Sequence, residues 1–197
     1  MNRDSYKTLP PPGTPMTTDD FLALPETLTR IELIDGVVVY PFGYPGDDIT
    51  MSPSPHLAHQ ETVGNAYFLL KLLKRGRVWV APMDLTLPNG TTIQPDVIWV
   101  ADDNIQTRLA ETISGVPDLL VEVLSPSTRG TDKVDKFRLY ENADVPEYWI
   151  IDPIAEFIEV WQNVDGAYQQ HGIYKRDESF TSPVLNTLVN TSALFED

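Results

Sequence analysis

The chain contains no cysteine among its 197 residues. This absence excludes disulfide bonds, cysteine nucleophiles and metal sites built from thiolates. A bound metal would have to take its ligands from carboxylates, carbonyls, water or one of only three histidines. Ligand sets dominated by oxygen favour hard ions, so magnesium or manganese is the expected metal if one is bound.

Long apolar runs are missing as well, because no stretch of the sequence is long and apolar enough to span a bilayer. Residues 1–15 are polar and proline-rich, and they lack the apolar segment of a secretory signal. We therefore expect a cytoplasmic protein with no membrane partner.

Basic residues are scarce, with 14 Lys and Arg against 29 Asp and Glu, which gives a net charge of −15. This balance argues against non-specific binding of nucleic acid, since phosphate contacts draw on Lys and Arg, but it leaves room for a local basic groove. The length suits one α/β domain with a full hydrophobic core. We predict a flexible arm at residues 1–16 and a single domain at residues 17–197.

The spacing of apolar residues predicts an alternation of helices and strands in the middle of the chain. Helices are predicted at residues 56–74 and 131–143, and strands at 77–87, 92–100, 118–124 and 147–151. Hairpins are predicted at 30–40, around Asp35-Gly36, and at 157–174. The order helix, strand, strand, strand, helix, strand indicates a mixed sheet with helices packed against it.

Glu122 interrupts an otherwise apolar strand. Residues 119, 121 and 123 share one face of this strand, and residues 120, 122 and 124 share the other. Both faces are apolar apart from Glu122, so the strand should be central and covered on both sides. A buried carboxylate needs a metal ion, a basic partner, several hydrogen bonds or a proton. A structural ion pair, or a strand end that reaches solvent, would also explain it.

Two further charged residues are candidates for the same site. Asp96 follows Pro95 and precedes an apolar run, which alone is typical of a turn or a strand entry. If its strand neighbours that of Glu122, the two carboxylates can converge on one divalent ion. Lys136 is spaced from Asp132 and Tyr140 as on an exposed helix face with salt bridges, or it could stabilise phosphate charge beside the metal.

Several segments together resemble the PD-(D/E)xK phosphodiesterase superfamily, and within it a bacterial restriction-endonuclease-like family expanded in cyanobacteria. The similar segments are Ile31-Glu32-Leu33-Ile34-Asp35-Gly36, His59-Gln60, Gln94-Pro95-Asp96-Val97, Val121-Glu122-Val123-Leu124-Ser125-Pro126-Ser127-Thr128, Asp132 with Lys136 and Tyr140, and Val145-Pro146-Glu147-Tyr148-Trp149-Ile150-Ile151-Asp152-Pro153. The resemblance extends over residues 17–195 and is specific because two of these segments are long.

This resemblance implies an α/β fold with a restriction-endonuclease-like αβββαβ core, an N-terminal hairpin and a C-terminal hairpin. It also implies cleavage of DNA that depends on Mg2+ or Mn2+, with Asp96 and Glu122 as metal ligands. The lysine expected two residues after the glutamate is replaced by Leu124. Lys136 matches the relocated lysine of this family. Since restriction-type folds commonly dimerise to cut both strands, we predict a homodimer.

Three other residues have two interpretations each. Asp84 is a third metal ligand or a charge at a strand edge, and His59 contacts phosphate or metal or is an exposed residue at a helix start. Glu32 reaches the site or pairs with Arg30. Two other functions stay open: a catalytically silent nuclease-fold domain that binds protein or DNA, and a phosphodiesterase acting on RNA or nucleotides.

Overall fold

The computed structural model describes residues 9–27, 29–44, 57–105, 107–109, 112–125 and 131–196. Its α-helices are α1 (Thr18–Leu22), α2 (Leu57–Leu72) and α3 (Thr131–Asn142). Its strands are β1 (Glu32–Ile34), β2 (Val37–Val39), β3 (Gly76–Val80), β4 (Leu85–Thr86), β5 (Thr92–Ile93), β6 (Val97–Ala101), β7 (Arg108–Leu109), β8 (Ile113–Ser114), β9 (Leu119–Val123), β10 (Glu147–Asp152), β11 (Phe157–Val164), β12 (Ala167–Lys175), β13 (Ser179–Ser182) and β14 (Thr187–Asn190). A 3-10 helix at Thr191–Leu194 follows β14.

The larger sheet has the strand order β12-β11-β10-β9-β6-β3. Strand β9 pairs with β10 in parallel and with β6 antiparallel. The parallel pair requires a crossover connection, and α3 lies between the two strands in the chain. The elements α2, β3, β6, β9, α3 and β10 follow in chain order, so the predicted αβββαβ core of the mixed α/β fold is confirmed.

Strand β9 lies between two hydrophobic clusters, as its sequence predicted. Leu119 and Val121 belong to a cluster that includes Ala66 and Leu70 of α2. Leu120 belongs to a second cluster, which contains Tyr140 of α3. The strand therefore carries Glu122 into the interior between the two helices.

A smaller sheet, with the order β2-β1-β5-β4-β8-β7, was not predicted. It forms because the segments predicted as continuous strands at 77–87 and 92–100 each divide in two. The first predicted segment divides into β3 and β4, and the second divides into β5 and β6. Strands β3 and β6 pair in the larger sheet, whereas β4 and β5 pair in the smaller one. Pro82 and Pro95 lie at the two divisions, where a residue without an N–H interrupts a strand ladder.

Both predicted hairpins are confirmed. Strands β1 and β2 pair around Asp35 and Gly36, and β11 and β12 pair around Asp165 and Gly166. The turn residues have positive φ angles, which this kind of two-residue hairpin turn requires.

Residues 9–16 of the predicted N-terminal arm lie against the first hairpin. The Gly13 amide donates to the Val38 carbonyl at 2.9 Å, and the Met16 amide donates to the Gly36 carbonyl at 2.8 Å. This part of the arm is therefore attached to the fold, while residues 1–8 lie outside the described part of the chain.

Candidate active site

Asp96 and Glu122 meet where two neighbouring strands of the larger sheet come together. Val97 of β6 pairs with Val121 of β9 in an antiparallel register. One step further along this register, Asp96 faces Glu122. The structure thus brings the two predicted carboxylates together, and both are 8% exposed.

Glu122 is fixed by two side chains from one face of α3. Its Oε1 accepts a hydrogen bond from Lys136 Nζ at 2.8 Å and another from Tyr140 Oη at 2.7 Å. Lys136 is itself only 8% exposed, so the interpretation of this residue as part of an exposed salt-bridged face is wrong. The crossover from β9 to β10 lays α3 back over the sheet, which buries the side of the helix that carries Lys136.

Charge and burial act in opposite directions on this pair. Burial raises the pKa of Glu122, and the nearby Asp96 charge raises it further against the opposing effect of Lys136. Burial would lower the pKa of Lys136, but the negative charges of Glu122, Glu32 and Asp96 together outweigh it and the pKa is raised. The lysine is therefore held in its charged form beside the two carboxylates.

Asp96 is fixed from the opposite side. Its Oδ2 accepts a hydrogen bond from the Val123 amide at 2.8 Å and lies 3.5 Å from His59 Nε2. Burial alone would raise the pKa of Asp96, but His59 and the charge of Lys136 outweigh that effect. The Val123 amide acts in the same direction, so the pKa of Asp96 is lowered. The interpretation of His59 as an exposed residue at a helix start is wrong, because its side chain is largely buried and contacts Asp96. A contact of His59 with phosphate or metal stays a prediction.

Within the described part of the chain, each carboxylate keeps one oxygen that accepts no hydrogen bond. Among the described residues, no group donates to Glu122 Oε2 or Asp96 Oδ1, and neither atom is sealed from solvent. Two carboxylates with free oxygens suit Mg2+ or Mn2+, which commonly bind one or two carboxylates and retain several waters. The donor set of this site therefore fits a hard divalent ion.

Asp84 does not join this pair in a three-ligand cluster. Its Oδ1 accepts a hydrogen bond from Gln94 Nε2 at 2.9 Å. No group of three acidic or histidine side chains in the described ranges is arranged to hold a metal. A role for Asp84 as a third ligand stays a prediction.

A second charged network lies next to the carboxylates. Arg30 donates to Glu32 Oε1 from Nε at 3.0 Å and from Nη2 at 2.8 Å, and Nη2 also contacts the carbonyl of Gln94. Glu32 Oε1 accepts from the Gln94 amide at 3.3 Å as well. Glu32 thus pairs with Arg30, one of the two arrangements predicted for it.

Arg30 and Tyr140 are residues of the site that the sequence did not reveal. Burial would lower the pKa of Arg30, but the negative charges of Glu32, Glu122 and then Asp96 raise it instead. Arg30 therefore adds a second cation to the site. The only local signal was its position two residues before Glu32, on the same face of an extended segment.

The site opens into a cleft of about 230 Å3 beside α2. The cleft is lined by His59, Gln60, Val63, Gly64, Tyr67, Val80, Ala81 and Asp96. His59 Nδ1 is buried and has no hydrogen-bond partner within the described residues. A substrate in this cleft would therefore lie against Asp96 and the His59 side chain, while His59 Nδ1 itself is enclosed by the protein.

Comparisons with known proteins agree with this architecture. A family model with the description "Uma2: Putative restriction endonuclease" matches residues 18–192. An uncharacterized Synechocystis protein, sll1609, is 32% identical over 89 residues, and the match spans 45% of this chain and 47% of that relative. The chain therefore spans about half the length of this curated relative.

A solved structure shares the fold over nearly the whole chain. It is described as a putative nuclease belonging to DUF820 from Anabaena variabilis, and it superposes with a TM-score of 0.72 at 19% identity. The match covers 92% of this chain and 98% of that one. None of the helices in the described part of the chain is long and apolar enough to cross a membrane.

Proposed function

Because the chain belongs to the Uma2 family of restriction-endonuclease-like proteins, we propose that it is a metal-dependent endonuclease that hydrolyses phosphodiester bonds in DNA. Asp96 and Glu122 hold Mg2+ or Mn2+, and Lys136 supports the transition state. The observation that carries this proposal is the pair of buried carboxylates, each with one oxygen fixed and the other free.

The surrounding residues fix the positions of the Asp96 and Glu122 carboxylates before an ion binds. The Val123 amide and His59 hold one oxygen of Asp96, while Lys136 and Tyr140 hold one oxygen of Glu122. A bound divalent ion would supply Lewis-acid chemistry, lowering the pKa of a coordinated water and neutralising phosphate charge. Preorganised ligands reduce the reorganisation that binding would otherwise require.

Lys136 is the residue that we propose for charge stabilisation. The position two residues after Glu122 is occupied by Leu124, which has no charge. Lys136 Nζ nevertheless lies 2.8 Å from Glu122 Oε1, close to where a lysine on the strand itself would be needed. A buried cation there offsets the negative charge that develops on the phosphate and orients the attacking water.

We further propose that the active form is a homodimer, since cutting both strands of a duplex needs two sites with opposite strand polarity. DNA is the proposed substrate, and RNA or a nucleotide would be the outcome of substrate profiling if DNA is not cut.

Cleavage of supercoiled plasmid by the purified chain in Mg2+ or Mn2+ tests the catalytic proposal. Asp96→Asn and Glu122→Gln should each abolish cleavage. Asp103→Asn removes the same charge from an exposed residue and should leave the rate unchanged. A wild-type protein that cuts neither DNA nor RNA with either ion would contradict the proposal.

A second candidate function is a catalytically silent domain that binds DNA or protein. The ion pair between Lys136 and Glu122 favours this function, because the proposed catalytic lysine is already engaged with a carboxylate. Divalent-ion binding and DNA binding without any cleavage would identify this function.

A further inference from the structure

The basic residues of this acidic protein are concentrated at one end of α2. Four of the 14 Lys and Arg residues lie within residues 71–77, and that segment contains no acidic residue. Lys71, Lys74 and Arg75 are all exposed. In the described part of the chain none of the three forms an ion pair, so their charge is not neutralised locally.

The first of these cations, Lys71, lies on the same face of α2 as the residues that line the cleft beside the candidate active site. Gln60, Gly64, Tyr67 and Lys71 are spaced four, three and four residues apart, which places them on one face of α2. The first three line the cleft that also contains Asp96. Lys71 Nζ lies 5.9 Å from the centre of the Tyr67 ring. This face of α2 therefore leads from the cleft that contains Asp96 to the basic end of the helix.

Arg75 has a fixed position at that end. Its Nη2 donates to the Leu185 carbonyl at 2.6 Å and to Thr187 Oγ1 at 2.7 Å. Both acceptors are neutral, so the guanidinium is held in place while its positive charge is retained. A preorganised cation loses less side-chain entropy when it binds an anion.

Gly64 keeps the middle of this face open. A Cβ atom built on Gly64 would meet no atom within 4 Å, so packing among the described residues does not require a glycine. Glycine in a helix interior is unfavourable relative to alanine. An exposed glycine beside the candidate active site instead leaves room for a ligand to approach the helix backbone.

We propose that this face of α2 binds the sugar-phosphate backbone of DNA next to the cleaved bond. The face is formed by Gln60, Gly64, Tyr67 and Lys71, and it is extended by Lys74 and Arg75. We call it the α2 track. The inference rests on the proposed function, because it names the surface that would hold the substrate of the same site.

The dimensions and charge of the track fit a phosphate backbone. Twelve residues of helix separate His59 from Lys71, which corresponds to about 18 Å at about 1.5 Å per residue. Phosphates follow one another along a duplex strand at about 3.4 Å of helix axis, so the basic end would lie about five nucleotides from the scissile phosphate. A net charge of −15 makes such a localised contact necessary, because the rest of the surface repels DNA.

Binding of a fluorescein-labelled 30-base-pair duplex in Mg2+ tests the track. All proteins carry Asp96→Asn to prevent cleavage. The test variant adds Lys71→Gln and Lys74→Gln. The matched control adds Arg77→Gln and Lys175→Gln, which removes the same charge from exposed residues off the track. Arg77 alternates along β3 with Val78, which packs in the cluster that contains α2 residues, so it faces the other side of the sheet.

We expect the test variant to bind about 10- to 100-fold more weakly at 0.1 M salt. Its plot of log affinity against log salt concentration should be shallower by about 2, because two phosphate contacts are lost. The control variant should keep the slope of the Asp96→Asn protein. Gly64→Phe, with no charge change, should also weaken binding, and an unchanged unfolding midpoint would show that the fold is intact.

Equal losses in the test and control variants would overturn the inference, because they would reflect net charge alone. Unchanged binding in the test variant, or no DNA binding by the parent protein at any salt concentration, would also overturn it. If the test variant weakens binding while the wild-type chain cuts no DNA, the track stands and the proposed catalysis fails. If the wild-type chain cuts DNA and the test variant binds the duplex as tightly as the Asp96→Asn protein does, the proposed catalysis stands and the track fails.

Discussion

Lys136 Nζ lies 2.8 Å from Glu122 Oε1, although fourteen positions separate the two residues in the chain. The lysine comes from α3, and the glutamate comes from the central strand β9. Their contact depends on the crossover that returns α3 over the sheet, so it is a product of topology rather than of local sequence. The same contact places a cation beside β9, where the residue two positions after Glu122 is the uncharged Leu124.

Replacing Lys136 should lower both the stability of the fold and DNA cleavage, and a second substitution should restore only the stability. Lys136→Met leaves the buried Glu122 carboxylate without its ionic partner, which we expect to lower the free energy of unfolding by about 3–5 kcal/mol. Adding Glu122→Gln should restore much of that loss, because the unpaired charge is gone, but it should not restore DNA cleavage. Urea unfolding and plasmid cleavage of both variants measure the two effects. Independent, additive losses would contradict the coupling.

Divalent ions should stabilise the fold through the two carboxylates. At an ion concentration about 100 times the dissociation constant, mass action raises the free energy of unfolding by about 2.7 kcal/mol. We expect Mn2+ to raise the unfolding midpoint of the wild-type chain and of Asp103→Asn. Asp96→Asn should abolish the rise, and a rise that persists in this variant would place the ion elsewhere.

The alternation of residues in β9 was sufficient to predict its place in the sheet and the burial of Glu122. A strand with two apolar faces has one stable position, between two packed layers. That feature depends on periodicity, which the sequence expresses directly. Asp96 was predicted as the partner of Glu122 mainly through the family resemblance, because a Pro-Asp pair alone is typical of a turn or a strand entry.

Residues brought in from a distance were harder to predict. Helical spacing left Lys136 either on an exposed face or in the site, because spacing says which residues share a face but not which way that face points. The family resemblance was needed to assign this lysine to the site. Arg30 and Tyr140 enter the site from the first hairpin and from α3, through contacts between segments that are distant in the chain. The smaller sheet was missed for a related reason, since apolar spacing continues through Pro82 although the chain changes sheets there.

Glycine at position 64 lowers the stability of α2, so replacing Gly64 by alanine should stabilise the fold. A Cβ atom at this position meets nothing within 4 Å, and the residue lies in the interior of α2. Gly64→Ala should therefore raise the free energy of unfolding by about 0.5–1 kcal/mol through the higher helix propensity of alanine. Gly13→Ala provides a contrasting control, because the positive φ angle of Gly13 disfavours any side chain. Lower stability of Gly64→Ala in urea would show that packing requires the glycine.

Glu147 should make the fold less stable as the pH rises, and it lies apart from the candidate active site. Its side chain is fully buried and accepts hydrogen bonds from Trp149 Nε1 at 2.6 Å, Ser182 Oγ at 2.9 Å and the Val184 amide at 2.7 Å. Burial raises the pKa of Glu147 above its ordinary value of 4.5, and these donors only partly oppose the shift. The folded state therefore binds this proton more tightly than the unfolded state does.

The sign of the pH dependence follows from this difference. Below pH 4.5 the carboxyl group is protonated in both states, so its contribution to stability is fully present. As the pH rises from 4.5 through the raised folded-state pKa, the unfolded chain loses the proton first and the free energy of unfolding decreases. The loss amounts to about 1.4 kcal/mol for each pH unit that separates the two pKa values.

Glu147→Gln isolates this contribution, because glutamine does not titrate. We expect the stability of the wild-type chain relative to Glu147→Gln to fall as the pH rises above 4.5, measured by urea unfolding at several pH values. The exposed control Asp103→Asn should follow the wild-type curve across the same interval. If the wild-type and Glu147→Gln curves run parallel, Glu147 titrates alike in the folded and unfolded chains, and its three donors then offset the whole cost of burying the charge.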